Sequence, residues 1–346
     1  IMFKVLVVAT SRKTRGGITS VINAHEKGAQ WKHFHCRWIE THIDKGWVYK
    51  LWYFITGFIQ YLIMLPFYNL VHIHTSEPPS AFRKCIFMAY AKFWRKKTII
   101  HFHSFSPDTT ICSKYRYLYH YLFRKADVVI VLSETWKKVC DDVFLLGDKI
   151  KVVYNPCSTV MSDKKYNKRQ QILYAGTINS RKGYVDMIKA FALIAKNYPD
   201  WQIVFAGNGE TDEGRVLATQ LGIDKQTLFL GWVSGTEKDK VFKEATIFCL
   251  PSYAEGFPMA VLDAWSYGLP VITTPVGGIS DIAIDGHNLL LFMPGNTHQL
   301  AKQMKEMIEN IELRNSIANE SIKLSRTVFD MMNINHEIEM IYINLC

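Results

Sequence analysis

Short continuous runs of β-branched and other apolar residues recur along the chain. They fall at Val5–Ala9, Leu70–His74, Thr98–His103, Val128–Leu132, Lys151–Tyr154, Ile172–Ala175, Ile203–Ala206, Thr227–Leu230, Ile247–Leu250 and Val271–Thr273. Between most of them lie longer segments whose apolar residues repeat with helical spacing, such as Tyr115–Lys125, Tyr184–Asn197 and Asn296–Ile311. Strands that are apolar throughout, rather than alternating, are buried on both faces, and helices between them provide the cover. The pattern predicts an α/β protein with parallel sheets. Ten strands are better accommodated by two doubly wound sheets than by one. The polar, charged stretch Cys157–Gln171 lacks periodicity and is the expected linker.

Composition narrows the class. The chain has 346 residues, 49% hydrophobic and 21% charged, which excludes a disordered or fibrous protein and suits about two domains. Seven scattered cysteines with no C-x-x-C pair argue against a disulfide scaffold or structural zinc site and for a reducing compartment. The first apolar run, Phe3–Ala9, is too short for a secretory signal and reads as a strand. Leu51–Leu65, interrupted by Gln60 and ended by Pro66, is shorter than the ~20 residues of a membrane span and is expected not to cross one.

Charge is divided unequally. Residues 1–155 carry 23 Lys/Arg against 10 Asp/Glu, whereas the remainder is slightly acidic, within a total of +10. A basic front half suits an anionic partner: a phosphorylated ligand, an anionic membrane leaflet or nucleic acid. The aromatic segment Trp47–Tyr68 reads either as a core helix or as an interfacial face, helped by the clusters Arg83-Lys84 and Arg95-Lys96-Lys97.

Ligands of doubly wound sheets bind beyond the carboxyl ends of the strands, so residues following strands hold the candidate chemistry. The most informative segment is Leu250–Ile282. Here a strand ends at Pro251-Ser252, a loop carries Glu255-Gly256-Phe257-Pro258, and a helix starts near Met259. Glu255 can accept hydrogen bonds from hydroxyls. The free backbone N–H groups around Phe257 to Val261, a stretch that includes Pro258, Met259 and Ala260, form a helix N-terminus suited to phosphate. Asp263 lies one turn further on. Two acids flanking phosphate-binding amides match a sugar nucleotide, although a capping Glu and a surface Asp would leave the same local pattern.

This segment resembles the signature of retaining GT-B glycosyltransferases of family 4: E-G-F-x5-E, then G-x-P-V-I and a downstream G-G. The resemblance implies two facing Rossmann-like doubly wound domains with a cleft between them. Residues 1–157 would form the N-terminal acceptor-side domain, rejoined by a crossing helix at about 325–346. Residues 158–324 would form the nucleotide-sugar donor domain. It further implies that Glu255 holds donor-sugar hydroxyls and that Asp263, one methylene shorter than the usual Glu, holds the ribose. Gly16 and Gly17 stand where the family's glycine pair approaches the donor phosphates. Arg181 and Lys182 stand where basic side chains neutralise the diphosphate, with Thr177 in place of the usual Arg. Gly207 belongs to the family's G-x-G turn, and Val233 to the loop that meets the base. His103, with His101 as competitor, matches a histidine facing the donor sugar.

The expected activity is transfer of a hexosyl unit from a nucleotide-diphosphate sugar, UDP- or GDP-linked, to a carbohydrate or lipid-linked glycan acceptor. Glu255, His103 and Lys182 are the catalytic candidates, and cell-surface polysaccharide synthesis is the expected setting. No cofactor and no metal are expected: His72-x-His74 and His101-x-His103 lack an accompanying acid, and no strand-end D-x-D is present. No nucleic-acid partner is expected, and the location is expected to be cytoplasmic, at or near the inner membrane face. A nucleotide-sugar epimerase of the same fold, or a non-catalytic sugar- or nucleic-acid-binding protein, are the competing readings. A dinucleotide oxidoreductase is disfavoured, because the third glycine after Gly207 and Gly209 is misplaced at Gly214.

Overall fold

The computed structural model describes residues 3–104, 106–158, 160 and 167–346. Within the expected linker, 159 and 161–166 lie outside the described residues, and Gln171 already opens a strand. The chain divides into two compact units, one of residues 1–156 with 331–346 and the other of residues 157–330.

The first unit holds a six-stranded sheet of β1 (Val5–Ala9), β2 (Arg37–Glu40), β3 (Leu70–Thr75), β4 (Lys97–Phe102), β5 (Val128–Val131) and β6 (Ile150–Val152). Their order is β2-β1-β3-β4-β5-β6, and every pairing is parallel. β2 has no counterpart in the hydrophobic pattern, since only Trp38 and Ile39 separate its charged ends. Both strand faces are covered, as fully apolar strands require. On one face, Leu6, Val8, Val71 and Ile73 pack with Tyr61, Phe87 and Phe123. On the other, Val5, Val7 and Ile99 pack with Ile334, Ile338 and Tyr342 of the helix Met331–Ile343.

The second unit repeats the plan with β7 (Gln171–Ala175), β8 (Gln202–Ala206), β9 (Thr227–Gly231), β10 (Ile247–Leu250), β11 (Val271–Thr273) and β12 (Leu290–Leu291). The order is β12-β11-β10-β7-β8-β9, again parallel throughout. From β7 the chain winds outward to β9, then returns to β10 on the other side of β7. The sheet therefore reverses direction between β7 and β10, the place where open α/β sheets leave a crevice for ligands. Residues 325–330 remain with this unit because Phe329 is buried, 5.2 Å from the Phe257 ring and 5.4 Å from Trp265.

The length expected for the apolar segment is corrected. The helix Trp47–Met64 runs on through a 3₁₀ turn to Phe67, giving 21 residues that contain an 18-residue window of mean hydropathy 1.3, so by length and composition it is long and apolar enough to cross a membrane. The apolar run Leu51–Leu65 underestimated its length because Trp47–Lys50 joins the helix and Pro66 is accommodated in its final turn.

Candidate functional site

Two loops meet at the point where the second sheet reverses. The loop after β7 leads into the 3₁₀ turn Ser180–Lys182, whose N-cap Asn179 accepts the Lys182 backbone N–H through its side chain at 3.0 Å. Asn is suited to this role, since its short side-chain carbonyl accepts from the same N–H that donates to the Asn179 main-chain carbonyl at 3.0 Å and so reinforces the turn. Gly183 follows at φ 70°, and a Cβ there would stand 1.9 Å from the Pro251 carbonyl oxygen. Glycine is thus required twice, by conformation and by close approach. The Tyr253 N–H donates to the Arg181 carbonyl at 2.8 Å, and the Tyr253 hydroxyl donates to Asp186 at 2.7 Å, so the two loops are bonded together.

These contacts bring the Lys182 ammonium onto the Glu255 carboxylate in a salt bridge. Glu255 is buried, and the Ser252 hydroxyl donates to the same carboxylate oxygen at 2.6 Å. Directly after Glu255, Phe257 turns its ring into the core and Pro258 N-caps the helix Met259–Ser266. That helix has no side-chain cap. The Met259 and Ala260 amides belong to its first turn, where helix geometry supplies no acceptor. A carboxylate and a helix N-terminus thus follow one another over a few residues, and the fold brings the Lys182 ammonium to the carboxylate from the other loop, a set that can meet hydroxyls and phosphate together.

Asp263 is placed differently. Its carboxylate accepts from Lys238 at 2.7 Å and from the Ser158 hydroxyl at 3.0 Å, and among the described residues it shares no hydrogen-bond partner with Glu255. Gly207 packs against the loop after β7, where a Cβ would lie 1.7 Å from the Gly176 carbonyl oxygen. Loop packing alone therefore demands glycine at this position. Val233 is buried in the loop after β9.

In the first unit, Gly16 N-caps the helix Gly17–Glu26 without a side-chain bond and has open space where a Cβ would stand. His103 follows β4, with its Nε2 2.8 Å from His74 Nδ1. It belongs to a group of five imidazoles. His74 and His101 are paired across β3 and β4, and His25 joins from the helix Gly17–Glu26. His72 Nδ1 lies 2.7 Å from the Tyr342 hydroxyl, and His25 Nδ1 lies 2.8 Å from Asn335 Oδ1. Burial pushes His25 down to about 4 and His103 to about 3, with further depression of His103 by His25, so both are neutral at pH 7. The nitrogens of His72, His74 and His101 lie within 4.8 Å of one another, the spacing of a potential metal-ligand group. Their rings, however, are stacked at interplanar angles of 5°, 25° and 29°, which directs the in-plane lone pairs along similar lines rather than toward one point.

Sequence reasoning did not identify Ser252, Asn179 or Lys238. Asn179 three residues before Lys182 is a readable capping signal. Lys238 has no local signal, since it meets Asp263 only through the fold.

Residues 161–324 match the family described as glycosyl transferases group 1, and residues 6–160 match glycosyltransferase family 4. The chain belongs to the group 1, family 4 glycosyltransferases. Among curated relatives is the lipopolysaccharide 1,6-galactosyltransferase of Salmonella typhimurium, 27% identical with 72% of this chain and 71% of the relative covered. An uncharacterized glycosyltransferase of Haemophilus influenzae is 28% identical, with 58% of this chain aligned to 56% of the relative. Another, from Methanocaldococcus jannaschii, is matched over 64% of its length. The chain therefore spans less than two thirds of those two proteins. Among solved structures, Anabaena HepE in complex with UDP-glucose superposes with a TM-score of 0.78 at 20% identity, over 99% of both chains. The outer-core galactosyltransferase WaaB gives 0.69 at 21%, over 98% of this chain and 99% of that one. The fold is GT-B.

Proposed function

We propose that this glycosyltransferase moves a hexosyl unit, with retention at the anomeric carbon, from a UDP- or GDP-linked sugar to a carbohydrate or lipid-linked glycan acceptor in polysaccharide assembly. The observation that carries the reading is the Lys182–Glu255 pair at the reversal of the second sheet, immediately before an uncapped helix N-terminus. Support for the donor class comes from HepE, solved with UDP-glucose, and for the setting from the lipopolysaccharide galactosyltransferase.

In this proposal Glu255 accepts hydroxyls of the donor sugar, while Lys182, Arg181 and the Met259 and Ala260 amides stabilise the charge that grows on the departing diphosphate. The glycosidic C–O bond to phosphate breaks as the acceptor oxygen adds on the same face, and the leaving phosphate oxygen takes the acceptor proton. With the charge met by these groups, the reaction proceeds without a metal ion. Asp263 contacts the ribose, and Val233 flanks the base. The first unit serves the acceptor and the second the donor. Thermal-shift screening of UDP-, GDP- and ADP-sugars tests the donor, since a ligand stabilises the native state by RT ln(1 + [L]/Kd). Stabilisation by UDP- or GDP-sugars supports the reading, and a flat response to every nucleotide sugar contradicts it.

A further inference from the structure

The helix Trp47–Met64 has two unlike faces. Its inner face is fixed to the first unit: a Cβ on Gly57 would stand 2.3 Å from the Glu40 carbonyl oxygen, and buried Tyr61 donates to the Phe87 carbonyl at 2.9 Å. Its outer face carries Val48, Leu51, Trp52, Ile55, Ile59 and Ile63 at helical spacing, all exposed, with Trp52 at 64% and Ile63 at 65%. The helix Ser80–Phe93 lies alongside, since the Phe58 ring is 5.4 Å from Phe87 and 6.3 Å from Tyr90. It adds exposed Phe82, Ile86 and Phe93, the last at 79%. A pocket of about 560 Å³ lies between the two helices, lined by Phe58, Ile86, Tyr90, Phe93 and Tyr121. Contiguous exposed apolar surface of this kind marks an interaction site.

Charge identifies the partner. Between Lys45 and Lys125 the chain has twelve Lys/Arg and only two acids, Glu77 and Asp108. Lys45, Lys50, Arg95 and Lys97 are exposed, and they stand at the ends of the two apolar stripes beside Trp47, Tyr49, Phe93 and Trp94. Aromatic rings and long basic side chains bordering an apolar face are the make-up of a helix lying in a membrane interface: rings and alkyl stems enter the apolar boundary while the charges remain with the headgroups.

We propose that this surface docks the first unit on an anionic lipid membrane, with the helix Trp47–Met64 lying in the membrane plane. A bilayer offers a broad apolar surface and negative charge together, and the outer face needs no specific hydrogen-bonding partner. Crossing the membrane, which the helix's length and composition permit, would pull Gly57 and Tyr61 off their contacts.

The test is co-sedimentation of the full chain with vesicles of phosphatidylcholine alone and with added phosphatidylglycerol. The expected result is preferential binding to the anionic vesicles that weakens several-fold from 0.1 to 1 M salt, as the screening length falls from ~10 to ~3 Å. Lys45→Glu/Lys50→Glu lowers the partition by roughly fivefold or more per lysine, and Ile55→Glu/Ile59→Glu abolishes binding. These side chains are exposed, and circular dichroism confirms that the variants are folded. If either is not, the lipid and salt dependence of the unmodified chain decides. Equal binding to neutral and anionic vesicles, or none, overturns the proposal. So does retention on the vesicles after alkaline carbonate, which would show a spanning helix. Lipid-free self-association lost in Ile55→Glu/Ile59→Glu, without vesicle binding by the unmodified chain, would assign the face to a second copy instead.

Discussion

Lys182 and Glu255 are 73 positions apart in sequence and form a salt bridge across the two strands at which the second sheet reverses direction. Each is held by its own loop, Lys182 by the Asn179-capped turn and Glu255 by the Ser252 hydroxyl. In the proposed reaction this pair is the unliganded arrangement. A diphosphate competes with Glu255 for the ammonium, and the donor hydroxyls replace the ammonium on the carboxylate.

Gly183 lets the two loops approach. Gly183→Ala forces a Cβ to within 1.9 Å of the Pro251 carbonyl at a φ that suits glycine. We expect a loss of about 2 kcal/mol or more from strain and overpacking, together with loss of nucleotide-sugar binding. Chemical denaturation and thermal shift measure both. A variant with unchanged midpoint and unchanged donor response contradicts the packing described.

Acid should weaken the first unit. His25 is held near 4 in the native state against about 6.5 when unfolded. Above 6.5 both states are neutral and the group has no effect. Below 6.5 the unfolded chain takes the proton and the native chain does not, so stability falls with pH until the native value is reached. For His25 the loss is about 2 kcal/mol by pH 5. His72, His74 and His101, also depressed first by burial and then by neighbouring imidazoles of the cluster, act in the same direction. Tm measured from pH 7.5 to 5 is expected to fall steadily below 6.5, and a flat profile would show that the imidazoles are not buried neutral.

The resemblance and the fold were legible in different ways. Continuous apolar strands alternating with helical periodicity revealed the two parallel sheets, because burial on both faces is written into each strand separately. Arg37–Glu40 and Leu290–Leu291 were not legible: the first has two apolar residues between charges, and the second is two residues long. The Glu255 loop could be read from local residues, but its salt bridge with Lys182 depends on strand order, which no local pattern contains. The same holds for Lys238 with Asp263, and for the histidines. The two H-x-H runs are visible in the sequence, whereas the neighbouring of His74 and His101, and the entry of His25 from a helix, follow from register and packing.

Transfer is expected to survive EDTA. In the proposed site Lys182, Arg181 and the helix amides supply the positive charge that a divalent ion would otherwise bring. Initial rates before and after chelation check this. Complete loss restored by Mg²⁺ or Mn²⁺ would contradict the metal-independent mechanism.

Asp263→Asn is expected to weaken free nucleotide, because the neutral amide loses the charge-assisted bond with Lys238 and the ability to accept strongly from a ribose hydroxyl. A decrease of several-fold in nucleotide affinity by calorimetry is the expected outcome. Unchanged affinity would leave Asp263 as a tie between its helix and Lys238.

The central claim is that the Lys182–Glu255 pair divides the donor between sugar and diphosphate, and two substitutions measured side by side test it. Lys182→Ala removes the charge opposite the leaving group and is expected to raise the barrier by about 2–4 kcal/mol, lowering kcat/KM roughly 30- to 1,000-fold, while also weakening free nucleoside diphosphate. Glu255→Gln keeps the side-chain size but loses charge-assisted bonds to the sugar, so transfer should fall steeply while free nucleoside diphosphate binds with little change. The most direct measurement is therefore transfer rate and nucleoside diphosphate affinity for Glu255→Gln in one folded preparation. Slow transfer with preserved nucleotide affinity is the predicted result, and transfer at the unmodified rate would contradict the assignment of this loop to the donor sugar.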